Sequence, residues 1–248
     1  MHEILPVALL GWGCGMLVNY LAEILPYHRS LSYPECRNCG TRPSILNYLF
    51  WPRQCQKCCH KFTKYRYLPE IAYVGIAIWL WISPTPELPF WLGMVLMIYF
   101  GVITIIDVEH RLVMHPVSLA GVVLGVGVGI WLHGFIATLL GGITGFGIFL
   151  LLYLLGNLYV RLVSRLRSRE LDEALGFGDV NLAGVVGLML GWPVILPGMA
   201  LAILSAGLVS LLYLVVGVIK RRELSGLAIP YAPFLVLSAL ILIFFRMD

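Results

Sequence analysis

Residues 90–107 read FWLGMVLMIYFGVITIID, an apolar run of 18 residues whose single acid stands last. A helix needs roughly 20 apolar residues to cross the hydrocarbon core of a bilayer, so this stretch predicts a transmembrane span. The chain has the same character throughout, because 60% of its 248 residues are hydrophobic and only 12% are charged. Soluble domains carry about 25% charged residues. The composition therefore predicts an all-α, polytopic membrane protein with little chain outside the bilayer.

Eight apolar segments are candidates for transmembrane helices. Turns rich in proline or glycine separate several of them. Their predicted bounds are Ile4–Leu25, Leu68–Ile82, Phe90–Asp107, Pro116–Leu132, Phe135–Val160, Val180–Ile195, Pro197–Ile219 and Ile229–Phe245. The first begins without a basic region, so it is interpreted as a retained span and not as a cleaved signal peptide.

Lysine and arginine are distributed unevenly between the two sides that eight spans define. Sixteen of the 17 basic residues lie in the loops after spans one, three, five and seven, and the other, Arg246, follows span eight. The positive-inside rule places basic loops in the cytoplasm. We therefore predict that both termini lie outside. Asp107, which ends span three, and Asp179, which precedes span six, are then expected at the same depth on the cytoplasmic side.

The first cytoplasmic loop contains two C-x-x-C turns, Cys36 with Cys39 and Cys55 with Cys58, separated by 15 residues. Four thiolates from two such turns complete a tetrahedral zinc site with Zn–S bonds of about 2.3 Å. Disulfides are one alternative, which a cytosolic location disfavours, and free thiols are the other. Because four cysteine ligands leave no open position, the predicted zinc-ribbon-like loop is structural.

The two aspartates are the strongest candidates for chemistry. An ionisable residue at membrane depth is costly, and its default interpretation is functional. Asp179 follows Gly176 and Gly178, and glycine lets a second chain approach its backbone closely. Two carboxylates at close range in a partly dry site share one proton, so one acts as base and the other as acid on water. Asp107 and Asp179 are therefore predicted to be a proteolytic pair.

Other interpretations of these acids stay open. Asp179 is a good N-cap for a helix beginning at Val180, and Asp107 could pair with Arg111 one turn away. A proton-coupled transporter would use both acids as a relay, although such acids are expected near the membrane midplane. A scaffold protein with a zinc-ribbon docking module would need neither acid. No G-x-x-x-x-G-K-[ST] phosphate loop is present, so ATP-driven transport would need a partner chain.

Several motifs follow one another along the chain with apolar spans between them. They are Gly13–Asn19, the four-cysteine loop, Arg66–Glu70, Ile106–Leu112, Gly176–Val180 with Gly187, Gly191 and Trp192, and Ile229–Phe234. In this order they resemble the motifs of the bacterial type IV prepilin peptidases, and the resemblance covers nearly the whole chain. It implies a G-x-G-D-type membrane aspartic peptidase with Asp107 and Asp179 as its catalytic pair. Gly176 and Gly178 would then border the approach of the substrate.

The resemblance also implies a substrate, a location and a second activity. Members of the family cut the basic leader of type IV prepilins or type II secretion pseudopilins after glycine, at the cytoplasmic face of the bacterial inner membrane. Many then methylate the new N-terminus with S-adenosylmethionine. Residues 1–70 are accordingly interpreted as the methyltransferase-associated region, with Asn19, Glu23 and Glu70 as its candidates, and residues 71–248 as the peptidase domain. The predicted partners are a prepilin helix and lipid but no nucleic acid, and the oligomeric state is left open.

The sequence departs from the family's pattern in three places. Val113-Met114-His115 replaces the common L-P-D after the first aspartate, and Ala232 replaces a common glycine. Arg53 stands where a glycine usually precedes the third cysteine. The first two departures concern local turns, whereas the third bears on the methyltransferase. A peptidase without methylation is therefore the alternative.

Overall fold

The computed structural model describes residues 3–28, 33, 35, 36, 38–42, 44, 55, 57, 58, 67–111, 114–167, 176–219 and 230–245. These residues form eight α-helices and no strands, which confirms the predicted all-α class. The helices are α1 (Ile4–His28), α2 (Tyr67–Ile82), α3 (Phe90–His110), α4 (His115–His133), α5 (Phe135–Arg167), α6 (Phe177–Leu190), α7 (Ile195–Ile219) and α8 (Ala232–Phe244). Arg53, Arg66, Val113 and the predicted start of span eight at Ile229 lie outside the described residues.

The lengths of the helices fall into two groups. Five of them, α1, α3, α4, α5 and α7, are long and apolar enough to cross a membrane. The other three, α2, α6 and α8, are apolar but have only 16, 14 and 13 residues. At 1.5 Å per residue each is shorter than the roughly 30 Å hydrocarbon core of a bilayer. The chain is a multi-pass membrane protein, as its composition predicted, and a helix stands at each of the eight predicted segments.

Helix α6 differs at both ends from its predicted bounds, Val180–Ile195. It begins three residues earlier and ends at Leu190, and its C-cap is Gly191, where the backbone is left-handed with φ of 67°. The Gly191 N–H donates to the Gly187 carbonyl at 2.9 Å. A Cβ at Gly191 would lie 2.9 Å from the ring of His133, so both the conformation and the space favour glycine. The helix therefore stops there, and the chain resumes as α7 at Ile195.

Contacts divide the chain into two compact units, Met1–Ile106 and Asp107–Asp248, with the boundary inside α3. In the first unit α1 packs against α2. In the second, α6 packs against α4, α5, α7 and α8, and most of its residues are buried. Helix α6 is thus the centre of the second unit. The predicted boundary at residue 70 is a different one, because it divides the methyltransferase-associated region from the peptidase domain. That division stays a prediction.

Gly15 sets the closest approach of α1 to α2. A Cβ at Gly15 would lie 2.6 Å from the Cα of Glu70, whereas a Cβ at Gly13 would meet no atom within 4 Å. Because a backbone atom cannot swing aside, Gly15→Ala is expected to push the helices apart and to cost about 1–3 kcal/mol of stability. Gly13→Ala is the matched control and should melt like the wild type. Melting curves in detergent measure both, and equal curves for the two variants would contradict this packing.

Candidate functional site

Asp107 lies near the C-terminal end of α3 and is buried, with only 4% of its surface exposed. Its Oδ2 accepts a hydrogen bond from the backbone N–H of Ala232, the first residue of α8, at 3.1 Å. The first N–H groups of a helix have no partner inside that helix. Asp107 therefore satisfies the start of α8 from a different helix, and its carboxylate is held in place by a buried backbone donor.

Asp179 lies inside the first turn of α6. Gly176 is the N-cap, with an extended backbone (φ −76°, ψ 141°), and its carbonyl accepts the Asp179 N–H at 3.1 Å. A Cβ placed on Gly176 would lie 3.7 Å from the Asp179 Oδ2, so the carboxylate stands close to the N-cap. The alternative in which Asp179 caps a helix beginning at Val180 is wrong, because the glycine backbone has already started the helix. An acid in the first turn complements the helix dipole.

The two acids belong to the same unit and lie around the same helix end. Asp107 accepts a hydrogen bond from the backbone N–H of Ala232. Tyr231, which precedes Ala232, is the N-cap of α8. The Asp179 carboxylate lies within electrostatic range of both Asp107 and Tyr231. Helices α6 and α8 also pack against each other. The structure thus brings both predicted acids to the first turn of α8, and their assignment as a catalytic pair stays a prediction.

Aromatic rings on α5 contact the start of α6, which carries Asp179, and the start of α8, which binds Asp107. The ring of Phe177, 46% exposed at the start of α6, lies 5.7 Å from the ring of Tyr153 on α5. The ring of Tyr231 lies 5.6 Å from the ring of Phe149, also on α5. Gly178 is half-buried beside Asp179. The sequence motif at Ile229–Phe234 includes Tyr231, whereas no sequence motif includes the α5 residues Phe149 and Tyr153.

The four predicted cysteine ligands meet at one point. The Sγ atoms of Cys36, Cys39, Cys55 and Cys58 all lie within 4.8 Å of one another. The closest pairs are Cys36 with Cys58 at 3.4 Å and Cys39 with Cys55 at 3.5 Å. Hydrogen bonding to Thr41, whose Oγ1 lies 3.2 Å from the Cys39 Sγ, lowers the pKa of Cys39 to about 6. Because metals bind the thiolate form, both geometry and donor chemistry suit a tetrahedral metal ion.

Glu70 forms a third polar cluster, inside the first unit. It is 5% exposed, and its Oε2 accepts a hydrogen bond from the Trp12 Nε1 at 3.1 Å. Its Oε1 accepts one from the Asn19 Nδ2 at 3.4 Å. Glu23 follows Asn19 by one turn on α1 and is half-buried. The structure therefore joins Asn19 to Glu70 and adds Trp12, which sequence reasoning missed. Both carboxylate oxygens of Glu70 tie α1 to α2.

A groove of about 980 Å³ lies between α4, α5 and α6. Helix α6 contributes Asn181, Gly184, Val185 and Leu188 to its wall. Asn181 follows Asp179 by two residues, which is about 200° around a helix of 3.6 residues per turn. The groove therefore opens on a face of α6 away from the acid, and it is separate from the site around α8.

The fold and these sites define a class: a multi-pass helical membrane protein with two acids around one helix end and a four-cysteine cluster. Residues 94–215 match the type IV leader peptidase family. The chain is also 27% identical over 186 residues to the prepilin leader peptidase/N-methyltransferase of Pectobacterium carotovorum subsp. carotovorum. That match covers 72% of this chain but only 62% of the relative. No solved structure matches the chain. The two matches confirm the resemblance to the prepilin peptidases that the motifs predicted.

Proposed function

We propose that the protein is a membrane aspartic peptidase that removes the leader of type IV prepilins or pseudopilins. The placement of Asp107 and Asp179 around the first turn of α8 carries this proposal. Both acids lie within residues 94–215, the part that matches the leader peptidase family. The name of the Pectobacterium relative supports the same substrate class.

The proposed reaction is hydrolysis by a shared-proton pair. One carboxylate takes a proton from water as the water oxygen attacks the peptide carbonyl, and the other donates its proton to the carbonyl oxygen. Collapse of the resulting gem-diol breaks the C–N bond, and a proton passes to the leaving amine. The amide of Ala232 holds the Asp107 carboxylate still during these transfers. Burial of Asp107 limits bulk water, so the charges act at low dielectric.

The substrate would approach along the first turn of α6. A helical peptide must unwind locally before its backbone can reach a carboxylate, and an extended segment needs open backbone beside it. Gly176 and Gly178 flank Phe177 there without side chains of their own. The distribution of lysine and arginine in the loops favours a position of this end at the cytoplasmic face of the bacterial inner membrane, with both termini outside. The leader would thus be cut as it leaves the bilayer.

Cleavage of a synthetic prepilin tests the proposal. The purified protein in lipid vesicles should release a leader and a mature chain without ATP. A prepilin with its cleavage glycine replaced is the matched substrate control and should stay intact. An unprocessed wild-type prepilin in the presence of folded protein would contradict the peptidase assignment.

The proposed cofactors belong to the N-terminal region. The four cysteines would hold a structural Zn²⁺, since their donor set and separations fit. S-adenosylmethionine would supply the methyl group for N-methylation, which the relative's name supports. Asn19, Glu23 and Glu70 are the candidates near that donor, and Glu70 also acts structurally through Trp12 and Asn19.

Methylation has its own expected result. When S-adenosylmethionine is present, the mature pilin should carry one added methyl group on its N-terminal nitrogen. Mass spectrometry of the mature N-terminus measures this, with a reaction lacking the methyl donor as control. Complete cleavage with an unmethylated terminus, in the presence of active donor, would leave a peptidase without a second activity.

A further inference from the structure

We propose that Phe149 and Tyr153 of α5 are positioning residues that set the separation of the two acids. The inference rests on the proposed function, because it concerns the geometry of the same aspartate pair. The Phe149 ring contacts an aromatic residue at the helix end that binds Asp107, and the Tyr153 ring contacts one at the helix end that carries Asp179. The two α5 rings stand on one face of one helix.

The first contact fixes the helix end that binds Asp107. Phe149 is fully buried, and its ring meets that of Tyr231 edge-on, with centroids 5.6 Å apart and planes at 74°. Tyr231 is the N-cap of α8, and the next residue, Ala232, donates its N–H to Asp107. A shift of the Tyr231 ring would therefore move the amide that holds the Asp107 carboxylate.

The second contact fixes the helix end that carries Asp179. The ring of Tyr153 meets that of Phe177 edge-on, with centroids 5.7 Å apart and planes at 73°. Phe177 is the first residue of α6 and precedes Asp179 by two positions. A shift of Phe177 would therefore move the turn that carries the Asp179 carboxylate.

Both contacts start from one rigid element. Phe149 and Tyr153 are four residues apart within the continuous helix α5, so their Cβ atoms lie on one face about 5–6 Å apart. Edge-to-face geometry is the arrangement that aromatic rings prefer, so each contact has a defined orientation. Helix α5 thus acts as a spacer between the start of α6 and the start of α8. Neither α5 residue is proposed to touch the substrate.

If the two α5 rings position the acids, losing a ring should lower kcat more than it lowers the amount of folded enzyme. A misplacement of about 1 Å in an active site costs on the order of 100-fold in rate. Losing either ring should therefore lower kcat while KM, which depends on substrate binding, stays near its wild-type value. Ordinary core packing would instead reduce the amount of folded enzyme, with normal kinetics for the fraction that folds.

The test compares Tyr153→Leu, Phe149→Leu and Tyr153→Phe in prepilin cleavage, with Tyr159→Leu as control. Tyr159 lies on the same helix but is 65% exposed. Tyr153→Leu and Phe149→Leu are expected to lose about 10- to 100-fold in kcat at unchanged KM. Tyr153→Phe keeps the ring and should restore the rate, and Tyr159→Leu should match the wild type. Since Phe149 is fully buried and its replacement could unfold the unit, half-buried Tyr153 provides the primary variant.

Two results would overturn the inference. One is a kcat for Tyr153→Leu equal to that of Tyr159→Leu. The other is an equal loss for Tyr153→Phe and Tyr153→Leu, because the hydroxyl and not the ring contact would then carry the effect. Failure of the wild type to cleave is a separate outcome, which removes the proposed function itself. A combined Tyr153→Leu and Phe177→Leu variant should lose no more than either single variant if the two rings act as one contact.

Discussion

Asp107→Asn and Asp179→Asn are each expected to abolish prepilin cleavage while the protein still inserts and folds. Asparagine has nearly the size of aspartate, and at position 107 its amide oxygen can still accept the N–H of Ala232. An amide cannot exchange the proton that the reaction requires. General acid–base catalysis by one side chain contributes roughly 10²–10⁴-fold, so a loss of about 1,000-fold is expected from each variant.

The time course of mature pilin formation in lipid vesicles measures this loss. Glu109→Gln is the matched control, because Glu109 follows Asp107 by two residues yet is exposed to solvent. It removes one negative charge from the same helix end and should leave the rate unchanged. Wild-type processing by either asparagine variant would show that the pair is misassigned.

The existence of the helices could be predicted from sequence because apolar length is a local property. The predicted span Leu68–Ile82 begins one residue after the start of α2, and the predicted spans four and seven lie close to α4 and α7. The start of α6 was predicted less accurately, because the helix begins at Phe177 and not at Val180. Asp179 is a stronger N-cap than glycine by side-chain chemistry, but the extended backbone of Gly176 starts the helix before that residue.

The candidate sites likewise include features that could be predicted from the sequence and features that could not. The cysteine cluster could be predicted because the ligand spacing is written in the loop itself. The common membrane edge of Asp107 and Asp179, which the loop charges predict, stays a prediction. The hydrogen bonds that Ala232 donates to Asp107 and that Trp12 donates to Glu70 could not be predicted from the sequence. A helix that is apolar all round has no amphipathic phase, so its rotation about its own axis is not encoded in a pattern. Close contacts such as that of Gly15 with Glu70 fix this rotation instead.

Loss of bound zinc is the second large effect expected, and Cys55→Ser should produce it. Cys55 is 1% exposed, and its Sγ lies 3.5 Å from that of Cys39 within the cluster. A serine hydroxyl is a poor replacement for a thiolate, and three remaining ligands leave one position open. Structural zinc contributes about 10–16 kcal/mol to folding in zinc-finger peptides. The wild type should therefore carry one zinc ion per chain and Cys55→Ser almost none.

Metal analysis of the purified protein, with limited proteolysis of the loop between α1 and α2, measures the effect. Cys14→Ser is the matched control, because Cys14 lies inside α1 and is not part of the cluster. Full zinc content in Cys55→Ser, or a zinc-free wild type with paired disulfides, would contradict the proposed ligand set. The cluster belongs to the first unit and both acids belong to the second. Because each unit holds its own polar site, cleavage is expected to survive the loss of zinc better than methylation does.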